Sequence, residues 1–190
     1  LKDAQIKSIV RCNGNIYVAS DSGAYIIEAD EEYRNFKTSC IMTGNISCMK
    51  TDGLNLLLGM SNGLYSYSSV EKTVKVTISY PREVATTNSI YTEENNIWVG
   101  THRYVIRKSR HGEAAEYIPF TSVKCMHMDE HGHMLMATDL GLYRYDTVSE
   151  DSEIVHKGIV WDFFEDKDGN IWMASDNGLL MHRQRSIFRP

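Results

Sequence analysis

Short apolar runs alternate with polar turns along the whole chain. From Asp166 to Leu180 the sequence reads DKDGNIWMASDNGLL, in which an apolar run from Ile171 to Ser175 lies between two turns. The first turn contains Gly169, and glycine adopts positive φ at low cost. The second turn is Asp176 to Gly178. A short strand between two tight turns predicts an antiparallel meander.

The same pattern occurs five times, and the other four copies begin at Cys12, Thr51, Glu93 and Asp129. The second turn of each copy ends, in chain order, at Gly23, Gly63, Tyr104, Gly141 and Gly178. Tyr104 therefore replaces a glycine in the third copy. Successive copies are offset by 40, 41, 37 and 37 residues (63−23, 104−63, 141−104, 178−141). A period of this length indicates a repeat architecture.

Each copy divides into short strands, which we call a, b, c and d. The predicted ranges are 6–11, 15–20, 24–28 and 33–38 in the first copy and 46–50, 55–60, 64–68 and 73–78 in the second. They are 89–92, 96–101, 104–108 and 114–118 in the third and 123–128, 133–138, 142–146 and 152–155 in the fourth. The fifth copy has 159–165, 170–175 and 179–183, with little room before Pro190 for a fourth strand.

Strand b is apolar on both faces, as in Leu56, Leu57 and Leu58, so each sheet is expected to lie between two others. A helix is not supported, because the runs are short and interrupted by Gly or Asn. Four-stranded meanders packed face to face are typical of β-propeller blades. We therefore predict an all-β fold: one β-propeller region over residues 1–190, with about five four-stranded antiparallel blades. The expected blades are 6–40, 46–80, 88–119, 123–157 and an incomplete 159–190, and together they form part of a larger propeller.

Composition narrows the choice of partners. The chain has 190 residues, 42% hydrophobic and 24% charged, which is ordinary for a globular protein. The net charge of −5 argues against nucleic acid or an anionic membrane surface as the main partner. No apolar run approaches the length of a membrane span. The chain begins at Leu1 without a visible signal peptide, and we interpret it as a piece of a longer protein.

The repeat phrase, D-x-x-G-x-I-W-x-G-T-x-x-G-L followed by an aromatic residue, resembles the two-component regulator propeller repeat. Trp98 to Thr101 matches its centre, 166–172 its beginning and Ser61 to Tyr65 its end. The resemblance implies the periplasmic sensor of a hybrid two-component system, common in gut Bacteroidetes, that detects glycan breakdown products. It also implies that the histidine kinase lies outside this chain and that the sensor has more than five blades. Met60 departs from the usual Ser or Thr, and His102 to Tyr104 departs from the usual Asn-Gly turn.

In propellers, ligands usually meet the face that carries the b–c turns and the d–a loops. His102, Arg103 and Tyr104 are the first candidates for ligand binding because this turn has lost its glycine. The guanidinium fork of arginine suits carboxylate or sulfate groups. Arg82, in a long d–a loop, is a further candidate, and Trp161, in an innermost strand, offers an aromatic platform for a sugar. Trp98 and Trp172, in strand b, are expected in the core.

The residues with reactive or metal-binding side chains suggest no cofactor. The cysteines, Cys12, Cys40, Cys48 and Cys125, lack metal-finger spacing, and a Cys40–Cys48 disulfide is left open. Cys48 and Cys125 are expected to be buried in strands. His127, Asp129, His131 and His133 form the one cluster that resembles a metal site, but His131 and His133 fall on ordinary turn positions of the repeat, so we predict no metal site there.

The sequence is compatible with three functions. The first is a ligand-sensing module that binds an oligosaccharide and signals to a kinase outside this chain. The second is a catalytic propeller such as a lyase or glycosidase, for which no Ser-His-Asp arrangement or phosphate loop is recognised. The third is a structural or assembly module. Exposed sheet edges predict contact with the remaining blades of the parent sensor, or self-association as a homodimer.

Overall fold

A computed structural model describes residues 4–30, 32, 34–81, 84, 86–112 and 114–183. These residues form nineteen β-strands and no helix, so none of them lies in a helix that could cross a membrane. The first ten strands are β1 Ile6–Cys12, β2 Asn15–Ser20, β3 Gly23–Ala29, β4 Phe36–Thr43, β5 Cys48–Asp52, β6 Asn55–Gly59, β7 Gly63–Ser68, β8 Val74–Ser79, β9 Thr87–Thr92 and β10 Asn96–Thr101. The others are β11 Tyr104–Ser109, β12 Ala115–Pro119, β13 Cys125–Met128, β14 His133–Ala137, β15 Gly141–Asp146, β16 Ser152–Lys157, β17 Val160–Glu165, β18 Ile171–Ser175 and β19 Gly178–His182.

The strands pair in sequence order into five antiparallel sheets. Blades 1 to 4 are the four-stranded sheets β1–β4, β5–β8, β9–β12 and β13–β16, and blade 5 is the three-stranded sheet β17–β19. The predicted all-β fold of antiparallel four-stranded sheets is therefore confirmed. The a strands of successive blades are neighbours, so they form the inner edge of the arc of blades.

The strand boundaries follow the sequence closely, with one clear error. All predicted ends lie within two residues of the observed ones except those of β4, predicted at 33–38 and found at Phe36–Thr43. The loop before β4 explains the difference. The Asp30 carboxylate accepts hydrogen bonds from the backbone N–H groups of Arg34 (2.8 Å) and Asn35 (3.1 Å). This turn holds the chain out of the sheet until Phe36.

The core lies between the sheets, in four apolar clusters that each join two neighbouring blades. The b strand contributes to the clusters on both of its faces. In blade 2, Leu56 and Leu58 pack toward blade 1 while Leu57 packs toward blade 3, and all three are buried. The burial of both faces predicted from the sequence is therefore confirmed.

Neighbouring blades approach closely where strand b ends. A Cβ atom on Gly59 would lie 2.6 Å from Thr87 Cγ2, and one on Gly100 would lie 2.7 Å from Val123 Cγ1. These distances are too short for real carbon atoms, so a larger residue would force the sheets apart. The small residues at this position keep successive blades in contact.

Backbone hydrogen bonds place the b–c turns and the d–a loops on one face, which we call the turn face. The residue that leads into each a strand donates its N–H to a carbonyl at or one residue after the end of strand b of the preceding blade. Examples are Ile46 to Ser20 (3.0 Å), Val123 to Thr101 (3.1 Å) and Val160 to Thr138 (3.0 Å). The same connection is thus repeated along the arc, and it aligns the turns of adjacent blades.

Among the described residues, one face of blade 5 has no sheet packed against it. Phe164, Trp172, Leu179 and Met181 are exposed on this sheet. The expected core position of Trp172 is therefore wrong, because its side chain is 37% exposed, whereas Trp98 is buried as predicted. A strand-b tryptophan becomes a core residue only when the following blade covers it.

Candidate ligand site on the turn face

Trp161 is brought to the turn face by a β-bulge at the start of strand a. Val160 pairs with Ser175 and Asp162 pairs with Ala174, so Trp161 has no partner in the ladder. Bulges redirect side chains and are common beside functional sites. The Trp161 side chain is 53% exposed, and its Nε1–H donates to Asp176 Oδ1 in the b–c turn at 2.6 Å. The indole is therefore fixed in orientation and open to solvent.

Lys124 connects this indole to the turn of the preceding blade. Its Nζ lies 4.3 Å from the centroid of the Trp161 ring and 2.6 Å from Asp139 Oδ1. The ammonium group thus makes a cation–π contact and an ion pair at the same time. The hydrogen bond from Lys124 and a second one from Ser122 lower the pKa of Asp139. Asp139 is therefore a carboxylate at neutral pH.

Ser122 extends the contacts to blade 3. Its Oγ shares a 3.0 Å hydrogen bond with His102 Nδ1, and its backbone N–H donates to the His102 carbonyl at 2.8 Å. Ser122 is buried and has a φ of 52°, in the left-handed region that residues other than glycine seldom occupy. Strained residues of this kind cluster at functional sites. Here the strained backbone places one hydroxyl between His102 and Asp139.

These contacts form one continuous series of side chains across blades 3, 4 and 5. We call it the turn-face strip, and it consists of His102, Ser122, Lys124, Asp139, Trp161 and Asp176. It combines an exposed indole, two carboxylates, one ammonium group and one imidazole. An apolar surface beside a few fixed polar groups is one feature of binding sites for small ligands.

The structure brings two of the predicted site residues together and separates others. His102 and Trp161 both belong to the turn-face strip. Arg103 is exposed beside His102 in the same turn, and its backbone N–H donates to Thr101 Oγ1 at 3.2 Å. Tyr104 lies elsewhere: its ring packs edge-on against Tyr117 with centroids 5.8 Å apart, at the core between blades 2 and 3. Arg82 lies outside the described residues.

A change in sheet register explains why Tyr104 replaces a glycine. At the equivalent position of blade 2, a Cβ on Gly63 would lie 2.5 Å from the carbonyl oxygen of Ile78. That close approach accompanies a bulge in the pairing of β7 with β8. The pairing of β11 with β12 is regular from Tyr104 onward, so blade 3 has room for a side chain. The missing glycine is thus explained by local packing.

The sequence did not identify Ser122, Lys124, Asp139 or Asp176 as site residues. Asp139 and Asp176 are the first residues of b–c turns, where aspartate is common for its turn chemistry alone. Lys124 and Trp161 occupy the same position in successive copies, 37 residues apart (161−124). The sequence does contain one signal for this site: Lys124 and Trp161 occupy equivalent positions of the predicted strand a but differ in residue type, so the repeat itself does not require either of them.

The cluster around Asp129 is explained by turn formation. Asp129 Oδ1 accepts the backbone N–H groups of His131 (2.9 Å) and His133 (2.8 Å), and Oδ2 pairs with His133 Nδ1 at 3.1 Å. Burial raises the pKa of Asp129, but the hydrogen bonds from His133 and His131 outweigh it, so the net shift is downward. His127 packs edge-on against Tyr91 instead. No group of three potential metal ligands is found within the described part of the chain.

All four cysteines are free thiols, so the Cys40–Cys48 disulfide that the sequence left open is not formed. Cys40 is exposed on β4, whereas Cys12 is buried. Burial raises the pKa of Cys48 to about 12, and burial followed by the neighbouring Asp162 raises that of Cys125 to about 12. Both side chains pack against apolar clusters as small apolar groups, but they are half-buried and not fully buried as expected.

Comparison with known proteins supports the resemblance seen in the repeat. The two component regulator propeller model matches residues 156–177, from the end of blade 4 into blade 5. No curated protein matches the sequence.

Solved structures show the same fold. The extracellular domain assigned to the hybrid two component system BT4673 of B. thetaiotaomicron superposes with a TM-score of 0.80 at 19% identity, covering 96% of this chain and 27% of that one. The corresponding domain of BT3049 from the same organism gives 0.70 at 18% identity, covering 93% of this chain and 26% of that one. PorZ, a surface component of the type-IX secretion system of Porphyromonas gingivalis, gives 0.70 at 13% identity, covering 93% and 31%. The chain therefore spans about a quarter to a third of the length of these structures.

Proposed function

We propose that this chain is part of the extracytoplasmic, periplasmic sensor propeller of a two-component signalling receptor. The match of residues 156–177 to the two component regulator propeller model supports this function. The similarity in fold to extracellular domains assigned to two hybrid two component systems supports it further. In this proposal the chain itself is not an enzyme, and the histidine kinase belongs to another part of the parent protein.

The ligand in this proposal is an oligosaccharide derived from a glycan. The observation that carries it is the exposed Trp161 indole, which donates to the Asp176 carboxylate and lies beside the Lys124–Asp139 ion pair. The apolar face of a sugar ring stacks on an indole, and its hydroxyl groups donate to carboxylates. Trp161 is fixed by its own hydrogen bond, so little conformational entropy is lost when a ligand stacks on it.

Signalling follows from the way the turn-face strip crosses blade boundaries. His102 belongs to blade 3, Lys124 and Asp139 to blade 4, and Trp161 to blade 5. A ligand that contacts several of these residues binds best to one arrangement of the three blades. It thereby shifts the population toward that arrangement, and this bias is the signal that the receptor passes to its kinase.

The uncovered face of blade 5 supports contact with further blades of the parent sensor. Leu179 is 71% exposed, whereas Val105, at the same position in blade 3, is covered by blade 4 and buried. The face of blade 5 thus carries the apolar residues of an interblade surface. In the isolated chain the same face would promote self-association, including a homodimer.

A second candidate function is a non-catalytic assembly module that contacts other proteins. The same uncovered face favours it, and so does the similarity in fold to PorZ, which is a surface component of a secretion system. This alternative places the functional surface on blade 5 and leaves the turn-face strip without a ligand.

A thermal-shift screen against oligosaccharides separates the two functions. A ligand that binds only the folded state stabilises it, by about 2.7 kcal/mol at a concentration 100 times its Kd. We expect a saccharide to raise the Tm of the chain and Trp161→Ala to abolish the shift. Trp172→Ala is the matched control, because Trp172 is also exposed in blade 5 but lies outside the turn-face strip. An unchanged shift in Trp161→Ala would contradict the proposed ligand site, and no shift with any saccharide would contradict the saccharide ligand and favour the assembly function.

A further inference from the structure

The charged groups of the turn-face strip are unequally available to a ligand. The ammonium of Lys124 is 2.6 Å from a carboxylate oxygen of Asp139, so its charge is already neutralised. The Asp176 carboxylate accepts the Trp161 indole N–H, a neutral donor, and none of the ion pairs found among the described residues involves it. A molecule stacked on the indole therefore meets a net negative surface.

The numbers of hydrogen-bond donors and acceptors around the indole also favour an uncharged ligand. Ionised carboxylates only accept hydrogen bonds, and Asp139 and Asp176 together offer four oxygens. The Trp161 N–H is already used by Asp176, and Lys124 directs one donor at Asp139. The turn-face strip thus has more acceptors than donors around the indole. Its ligand must supply donors, as hydroxyl groups do and as carboxylate or sulfate groups cannot.

We infer that the turn-face strip selects uncharged saccharides over their uronate or sulfated counterparts, with the sugar ring on Trp161 and its hydroxyls donating to Asp139 and Asp176. This inference rests on the proposed function. It differs from the carboxylate or sulfate ligand suggested by Arg103 in the sequence. Arg103 lies in the turn of blade 3, whereas the indole and Asp176 belong to blade 5, with blade 4 between them.

The physical basis is charge repulsion in a site whose cation is already paired. A ligand carboxylate beside Asp176 would be placed next to a like charge, and such contacts are used in recognition to exclude the wrong partner. Displacing Lys124 from Asp139 would not help the anion, because the freed Asp139 carboxylate would then be a second like charge beside it.

Matched pairs of ligands test the selectivity. The probes are gluco-, manno- and galacto-hexasaccharides, each compared with the product in which every C6 alcohol has been oxidised to a carboxylate. Titration calorimetry with the 190-residue chain gives a Kd for both members of a pair. We expect the neutral member to bind at least tenfold more tightly. Asp176→Asn keeps an acceptor for the Trp161 N–H but removes the charge, so it should narrow this ratio several-fold, whereas Arg103→Ala should leave it unchanged.

The outcomes separate this inference from the function on which it rests. Equal or tighter binding of the oxidised member, lost in Trp161→Ala, would overturn the selectivity and leave the saccharide site in place. The selectivity would also be overturned if Asp176→Asn left the ratio of the two Kd values unchanged. Binding of no member of any pair would overturn the saccharide ligand itself and the selectivity with it.

Discussion

Trp98 and Trp172 make the same hydrogen bond in two different environments. The Nε1–H of Trp98 donates to Glu93 Oε1 at 2.8 Å, and that of Trp172 donates to Asp166 Oδ2 at 2.9 Å. Each acceptor is the carboxylate that opens the preceding a–b turn. Trp98 is nevertheless 1% exposed and Trp172 37% exposed, because blade 4 covers only the first of them. The local repeat thus determines the indole orientation, and the neighbouring blade determines its burial.

The same substitution at equivalent positions of blades 3 and 5 should therefore change stability by very different amounts. Leu179→Glu places a charge on the uncovered face, so the free energy of unfolding should change by less than about 0.5 kcal/mol while self-association decreases. Val105→Glu is the matched control, because it buries the same charge at the same position and should cost roughly 3 kcal/mol or more. Sedimentation velocity and urea unfolding measure the two effects. A large loss of stability in Leu179→Glu would show that this face is covered within the chain.

The b–c turn glycine of blade 2 provides a second test. Gly63→Ala should destabilise the protein by about 1–3 kcal/mol, because the new Cβ would lie 2.5 Å from the Ile78 carbonyl oxygen. Gly53→Ala is the control: Gly53 has a φ of 61° but open space around it, so only the backbone penalty of about 1 kcal/mol is expected. Urea midpoints compare the two variants. A smaller effect at Gly63 than at Gly53 would contradict the steric explanation.

The left-handed backbone of Ser122 should cost stability that a glycine recovers. Ser122→Gly and Ser122→Ala both remove the hydroxyl that joins His102 to Asp139, but only glycine relieves the strain at a φ of 52°. We expect the glycine variant to be more stable than the alanine variant by about 1 kcal/mol. Thermal unfolding of both variants measures the difference. Equal stabilities would mean that the backbone relaxes without cost when the side chain changes.

Much of the fold follows from local sequence. Leu56, Leu57 and Leu58 are apolar on both faces of one strand, and this alone indicated sheets packed on each side. The start of β4 was missed because Asp30 closes a turn through hydrogen bonds to backbone groups four and five residues later. The exposure of Trp172, which the sequence predicts in the core, was missed for a different reason: a strand sequence does not show whether another sheet follows it.

Only some residues of the candidate site could be predicted from the sequence. His102 could be singled out because it departs from the repeat, and Trp161 because it is an aromatic residue in an innermost strand. The Lys124–Trp161 contact joins two blades, and it depends on a bulge that exists only once the sheets have formed. Asp139 resembles any other turn aspartate until its partner Lys124 is known. Long-range geometry therefore separates the site residues from the turn residues of the same type.

The thiols should differ sharply in reactivity. At pH 8 we expect Cys40, which is exposed, to react quickly with a disulfide reagent. Cys48 and Cys125 should react slowly because burial raises the pKa of each to about 12, and Cys12 should be protected by its burial. Cys40→Ser should remove the fast phase, and denatured protein should titrate all four thiols. Only two titratable thiols after denaturation would reveal a disulfide and contradict the structure.

The Asp166 carboxylate should make stability depend on acid pH. The hydrogen bond from the Trp172 indole, followed by those from Asn170, lowers the pKa of Asp166 from 3.8 to about 2 in the folded protein. Because the folded-state value lies below the unfolded one, the stabilising contribution is complete above about pH 5 and is lost as the pH falls toward 2. Asp166→Asn lacks this contribution, so the difference in urea midpoint between wild type and variant should shrink as the pH falls over that range. Trp172→Phe removes the main hydrogen-bond donor, so its stability should depend less on pH than that of wild type. A difference in urea midpoint between wild type and Asp166→Asn that stays constant from pH 5 to pH 2 would rule out Asp166 as the titrating group.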